Sequence, residues 1–280
     1  MFEGHIVSVI SKYFLYMNYI SGDFHLHYIP SYTLYVQSDL HRDHLVVVGP
    51  ENDVLVYITY YNEKPSLEAT KILSMPFEKV YVSLPHQSLL WIPTEVFDPS
   101  EIDLYTDYFL DTREDRIEFT EIENQGVTAL YQIEATLMNR WRSIFPSAMI
   151  LPSFSAVLGQ AFRNIDYAVE LLTVHIYGNQ ADIFLFVNSE IRLYNTFEIQ
   201  TPDDLAYYVL SIMKNFAIEG KVQKIMLSGA PKDSEWGDRL SIYTKQLEEM
   251  KSTYSWKSYN SKVSQAIKNL NTLVDLSICE

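Results

Sequence analysis

The sequence predicts an α/β fold in two tandem domains, on three observations. A chain of 280 residues with 48% hydrophobic content can fill two cores of about 100 to 150 residues each. From Leu171 onward the apolar runs order as strand, strand, strand, helix, strand, helix, strand, helix. Residues 25–150 show a blurred version of that order, hairpins first and helix–strand alternation later, without any repeat of the sequence itself.

Residues 1–24 are a lead-in segment. The stretch "MFEGHIVSVISKYFLYMNYISG" is apolar and aromatic, but Lys12 interrupts it, no basic stretch precedes it and no small-residue cleavage pattern closes it. Neither a secretory signal nor a spanning helix is expected there. The expectation is an amphipathic helix or a loosely anchored stretch, without the basic face that would hold it on a membrane. "FHLHYIPSYTLYVQSD" alternates about Pro30-Ser31 and predicts a hairpin, and "HLVVVGPENDVLVYITYY" adds two strands about Gly49-Pro50. A short helix over 66–73, the strand "KVYVSL", the segment "WIPTEVF", an acidic helix over 99–110, the strands "RIEFTEI" and "VTALYQI" and the helix "EATLMNRWRSIF" complete the first domain.

The link between domains falls in "SAMILPSFSAVLGQAF", where a strand runs to Pro152 and a helix starts at Ser153 or Ser155, as Pro and Ser favour. Three strands follow at 171–177, 181–187 and 191–197, joined by turns at Gly178-Asn179 and Asn188-Ser189. Thr201 then caps a helix opened by Pro202, with Asp203 and Asp204 in its first turn. Leu205, Tyr208, Val209, Ile212, Met213 and Phe216 share one of its faces, and Gly220 ends it. The strand "KIMLSG", a charged helix over "EWGDRLSIYTKQLEEMK", a weak strand near Tyr254 and a closing helix from Ser261 finish the chain.

Three antiparallel strands followed by alternating helix and strand is the plan of a ribonuclease-H-like half domain. Two in tandem, here 25–150 and 151–280, make the actin-like ATPase architecture, in which nucleotide binds between the halves.

Charge narrows the partners. The net charge is −15, and residues 1–150 hold 9 Lys+Arg against 21 Asp+Glu while residues 151–280 hold 12 against 15. With no basic stripe, nucleic acid is excluded as a partner, and anionic lipid would repel the first half. Between Glu95 and Glu123 eleven acids stand beside only Arg113 and Arg116. A solvated face is the plain explanation and a docking surface for a basic partner the sharper one. The run lacks the glycine and alternating ligands of a calcium loop. A single cysteine, Cys279, allows no intrachain disulfide and suits a reducing compartment such as the cytoplasm.

"LYNTFEIQTPDDLAYYVLSIMKNF" followed by "IMLSG", with "LWIPTEVF" upstream, resembles an uncharacterised bacterial family catalogued as a domain of unknown function, whose members have an actin-like ATPase fold. The likeness runs from about His25, and its best marker is Asn195-Thr196-Phe197 leading to Thr201, Asp204, Tyr207 and Tyr208. Membership implies the fold and supplies no reaction.

An actin-like site implies glycine-rich hairpins whose backbone amides bind phosphates, each with an Asp that organises Mg²⁺ or the attacking water. Where the second hairpin would begin Asp-Ile-Gly-Gly-Gly, this chain has His175-Ile176-Tyr177-Gly178-Asn179. His175 replaces the acid, and Tyr177 is bulky where backbone should approach phosphate. The first hairpin, assigned to Ile29-Pro30-Ser31-Tyr32-Thr33, has no glycine and no Asp, and Pro30 removes a donor. The adenosine-packing Gly-Gly is reduced to Gly229-Ala230. The same loss of an acid at His175 disposes of a two-metal nuclease.

Elsewhere, His25 with His27 and His41 with His44 could pair on a metal, but neither has a third ligand at a recognised spacing. Ser153-Phe154-Ser155 and Leu227-Ser228-Gly229 lack a nucleophile elbow. Asp182 is expected to satisfy turn amides. The 21 tyrosines and 14 phenylalanines exceed what cores alone need and suit a protein interface.

The sequence therefore points to a non-catalytic actin-like scaffold or adaptor, with a protein partner or self-association and no cofactor. The alternative is a divergent switch that binds ATP with Mg²⁺, in which Gly178, Asn179, Asp182 and Gly229 line a remnant cleft and Asp182 or Asp204 helps the metal.

Overall fold

A computed structural model of the chain describes residues 17–122, 125–165 and 170–279. Residues 1–16, most of the lead-in expected as an amphipathic helix or a loosely anchored stretch, lie outside the described residues. Of the remaining lead-in, β1 (Asn18–Ile20) is an edge strand rather than a loose stretch.

The first sheet has six strands in the order β1-β4-β3-β2-β5-β9, with β2 (Thr33–Ser38), β3 (Arg42–Val48), β4 (Val54–Tyr61), β5 (Lys79–Leu84) and β9 (Met149–Pro152). Strands β2, β3 and β4 are antiparallel, while β5 and β9 run parallel to β2. The second sheet repeats that plan as β12-β11-β10-β13-β14, with β10 (Leu171–Tyr177), β11 (Gln180–Val187), β12 (Glu190–Glu198), β13 (Val222–Ser228) and β14 (Thr244–Glu249). Its first three strands are antiparallel and its last two parallel to β10. Both halves therefore have the ribonuclease-H-like order expected of them.

Between β5 and β9 the first half carries an insertion, a three-stranded sheet β6-β8-β7 of β6 (His86–Pro93), β7 (Glu118–Ile122) and β8 (Val127–Ile133), followed by α2 (Ala135–Ile144). The shorter α1 (Leu67–Leu73) precedes β5 and is capped by the Ser66 side chain.

Strands of the first sheet are apolar on both sides because both sides are covered. Leu34, Val36, Leu45, Val47 and Ile58 face one core. Tyr35, Val46, Val48 and Tyr57 face another, built with Trp256 and the helices α6 (Ser261–Lys268) and α7 (Asn271–Val274). The end of the chain thus closes the first sheet, not the second. The first sheet also takes in all of β9, which runs across residues 150 and 151. The helix α3 (Ser153–Phe162) leads from there to β10, placing Phe154, Val157 and Ala161 in the same core as Phe184 and Phe186. The second sheet packs its other face on α4 (Pro202–Asn215) and α5 (Glu235–Ser241).

Four expectations need correction. Residues 26–31 form a 3-10 helix, not the first arm of a hairpin, so His25 and His27 do not alternate on a strand. Pro30 has no N–H to give a ladder and its fixed φ suits this turn, which closes with the Tyr32 N–H on the Ile29 carbonyl. The acidic stretch 99–108 is 3-10 helix broken at Glu101, without the apolar stripe that would hold an α-helix. The charged helix stops at Ser241. Residues 244–249 are instead an edge strand that buries Thr244 and Leu247 and exposes Lys245 and Gln246, so no strand forms at Tyr254. Pairing with β13 overrides the helical propensity of Lys, Gln, Leu and Glu here.

Among the described residues, no helix is long and apolar enough to cross a membrane.

Candidate functional site

Strand β10 turns into β11 through Gly178, whose φ of 54° is the left-handed conformation glycine adopts freely, and Asn179; both are exposed. The turn after β2 lies against it. Oδ2 of Asp39 is 4.0 Å from the point where a side chain would leave Gly178, while Oδ1 accepts from the backbone N–H groups of His41 and Arg42 at 2.6 and 2.7 Å. The hairpin turns of the two halves therefore meet, with residues 39–41, not Ile29-Pro30-Ser31, on the side of the first half.

Below this meeting point the second sheet carries polar side chains on the face turned to the insertion. His175 and Asp182 are cross-strand partners on β10 and β11, 2% and 0% exposed. Oδ1 of Asp182 accepts from the Tyr177 hydroxyl at 3.0 Å and from the Thr196 hydroxyl at 2.7 Å. These are side-chain donors, where turn amides were expected. The Thr196 oxygen lies 2.9 Å from the Tyr194 hydroxyl and 3.1 Å from Nε2 of His86, which also hydrogen-bonds Tyr194. Oδ2 of Asp182 is buried without a hydrogen-bond partner among the described residues. Because His86 belongs to β6, the cluster ties the insertion to the second half.

A second chain of hydrogen bonds runs the other way from His175. Its Nδ1 is 2.8 Å from the Ser228 hydroxyl, which donates to Oδ1 of Asn271 at 2.9 Å. Ser228 gives its proton to Asn271, so Nδ1 of His175 is the protonated nitrogen. Asn271 donates to Gln160 at 2.6 Å, and Gln160 donates to buried Asp275 at 3.0 Å, where Arg163 also binds at 2.5 Å.

Burial holds the imidazoles of His175 and His86 below their ordinary range, against the opposing pull of Asp182. Burial, helped by Asp182, pushes the Tyr177 and Tyr194 hydroxyls well above theirs. At neutral pH the histidines are uncharged and the tyrosines protonated, so this end of the sheet is a hydrogen-bonded plug rather than an exposed acid or base.

Gly229 has a structural duty of its own. With φ of 80°, a Cβ there would come 1.9 Å from the Ile176 carbonyl oxygen, so the end of β13 approaches β10 only through glycine. Asp204 serves as the N3 member of a capping box with Thr201. Gly178, Asn179, Asp182 and Gly229 thus share one end of the second sheet, the turn exposed and Asp182 beneath it.

His86, Tyr194 and Asp39 escaped the sequence reading. Tyr194 and Thr196 could have been found as alternate positions on one strand face, whereas nothing local marks His86. Among the described residues, no three His, Cys, Asp or Glu side chains are placed to hold a metal ion. A cleft of about 650 Å³ lies at the opposite end of the sheet, beside the Asn188-Ser189 turn and Gln125, and contains none of the expected residues.

The sequence profile of one family, described as a protein of unknown function (DUF3822), matches residues 22–247. No curated protein matches the sequence. A Bacteroides thetaiotaomicron protein with actin-like ATPase fold and unknown function superposes with a TM-score of 0.65 at 17% identity, over 82% of this chain and 94% of that one. The PilM-PilN type IV pilus biogenesis complex gives 0.59 at 10% identity, over 88% and 97%. These likenesses establish an actin-like ATPase fold.

Proposed function

The chain belongs to the DUF3822 family of proteins of unknown function, and on that premise we propose that it is a non-catalytic scaffold or adaptor, an actin-like shell that binds another protein. One observation carries the proposal. Where the fold would bring phosphate and Mg²⁺ to an acid on the first strand of the second half, His175 is bonded to Ser228, and the Asp182 carboxylate is roofed by Tyr177 and Thr196. Opening that end for a triphosphate would break several buried hydrogen bonds, each worth about 1 kcal/mol net. The solved complex of PilM with PilN supports the idea that such a shell can serve as a protein-binding platform. Cys279 is a free thiol, which suits the cytoplasmic setting that belongs to this proposal.

The meeting of Asp39 with the Gly178 turn favours one other reading, a divergent nucleotide switch. Calorimetric titration with ATP and ADP, with and without Mg²⁺, separates the two. The expected result is no heat and no thermal shift. Saturable binding tighter than about 100 µM, about 5.5 kcal/mol, that weakens in Gly178→Val would overturn the scaffold in favour of the switch.

A further inference from the structure

Strand β7 is a sheet edge without cover among the described residues. It pairs with β8 on one side, and among the described residues no strand lies on its other side. Glu118, Phe119, Thr120 and Glu121 are all exposed. Five residues at about 3.4 Å each give an edge some 17 Å long, from which Phe119 and Glu121 point their backbone donors and acceptors outward, because Thr120 is paired with Ala129 of β8 in the hydrogen-bonded register. Phe119, 46% exposed, sits with its ring 5.1 Å from that of Phe97, beside Val96 at 67% exposed. The edge therefore offers Phe119 and Glu121 on one face of the sheet and Glu118 on the other.

Its charge decides what can pair with it. The eleven acids between Glu95 and Glu123 have little internal compensation. Arg113 is bonded to Asp111 at 2.6 Å, and Arg116 donates to the Ile133 carbonyl at 2.9 Å. Neither Glu118 nor Glu121 has an ion-pair partner among the described residues. A second copy of this chain would set like charges against each other. An extended segment with an apolar residue over the Phe119–Phe97 pair and Lys or Arg on both of its faces meets the free backbone, the aromatic pair and both glutamates together.

We propose that the β7 edge is the docking site of this scaffold, and that its occupant is a basic, extended segment of another protein added as a fourth strand to the sheet β6-β8-β7. The proposal rests on the scaffold reading and names its partner surface. Main-chain hydrogen bonds supply affinity, the aromatic pair accepts the apolar side chain, and the acids select the charge and speed the encounter.

Fluorescence anisotropy on the full chain tests this, with labelled Thr-Lys-Lys-Val-Lys-Lys-Thr, which carries lysines on both faces of a strand about a central apolar residue, as probe and its Glu-for-Lys counterpart as control. The basic peptide is expected to bind saturably and more weakly as salt rises, and the acidic one not to bind. Glu118→Gln with Glu121→Gln is expected to weaken binding at least tenfold, and Glu121→Pro, which removes an outward-facing backbone donor of the edge, to abolish it while circular dichroism stays unchanged. Absence of binding to the wild-type chain, or binding that neither variant alters, would overturn the proposal. ATP titration reads the other end of the molecule. A saturable ATP heat with peptide binding intact removes the scaffold reading and leaves the edge site. Silence to both ATP and peptide removes the edge site alone.

Discussion

His175 of the second sheet and His86 of the insertion are neutral because desolvation outweighs the attraction of Asp182. That imbalance sets a pH dependence. The folded-state value is depressed below 6.5, so on acidification the unfolded chain takes up protons before the folded one does. Stability contributed by the neutral imidazole is full above about pH 6.5 and is lost as pH falls below it, at about 1.4 kcal/mol per pH unit for each such histidine. Urea midpoints measured from pH 7.5 to 5 should fall accordingly. His175→Asn, whose amide can still donate to Ser228, should flatten the slope by one histidine's share. An unchanged slope would mean that His175 is not buried neutral. His44, which burial lowers to about 4, contributes with the same sign. The residue scale also explains why Asp182 resisted assignment: its partners are hydroxyls from the two strands beside its own, and no spacing in the sequence announces them.

Among the elements, α2 packs Leu137, Met138 and Trp141 into the core of the first sheet and adds an ion pair to it. Arg140 binds Asp43 of β3, which is fully buried and also accepts from Ser38 at 2.6 Å. Arg140→Ala leaves that carboxylate without its cation and should cost about 3 kcal/mol, read as a fall in the urea midpoint. A loss under 1 kcal/mol would show that water reaches Asp43 freely. The same scale shows which elements the sequence makes legible. Helix α4 carries its own start signals, Thr201, Pro202 and Asp204, and forms where they place it. Strands β10 to β12 were legible to within a residue, because apolar runs alternate with the Gly178-Asn179 and Asn188-Ser189 turns. Both residues of the second turn have positive φ, 52° and 67°, the type I′ conformation that suits a two-residue hairpin. Residues 244–249 were not legible, since Thr-Lys-Gln-Leu-Glu-Glu reads as helix until β13 offers it a ladder.

At the scale of the whole molecule, the chain's end belongs to its beginning. Trp256, Val263, Ile267, Leu270 and Leu273 cover the face of the first sheet that shows Tyr35, Val46 and Tyr57, and the rings of Trp256 and Tyr35 are 4.8 Å apart. Residues 1–150 expressed alone would bare that face to water. They should be insoluble or lack the near-ultraviolet dichroism of packed aromatics, and adding residues 151–280 in trans should restore it. A folded, soluble 1–150 fragment would show that this cover is dispensable. The sequence by itself determined the α/β class, the doubled order of elements, the acidic first half and the absence of a glycine-rich acid at His175. Each follows from local composition, period and capping, which a strand or helix carries within its own few residues. Only the tertiary structure decided that His86 would meet Tyr194, 108 residues away, that the turn at 39–41 would face Gly178, that the C-terminal helices would close the first sheet, and that β7 would be left as an edge. Those outcomes depend on which faces are brought together, and burial assigns meaning to a polar side chain only after its neighbours arrive.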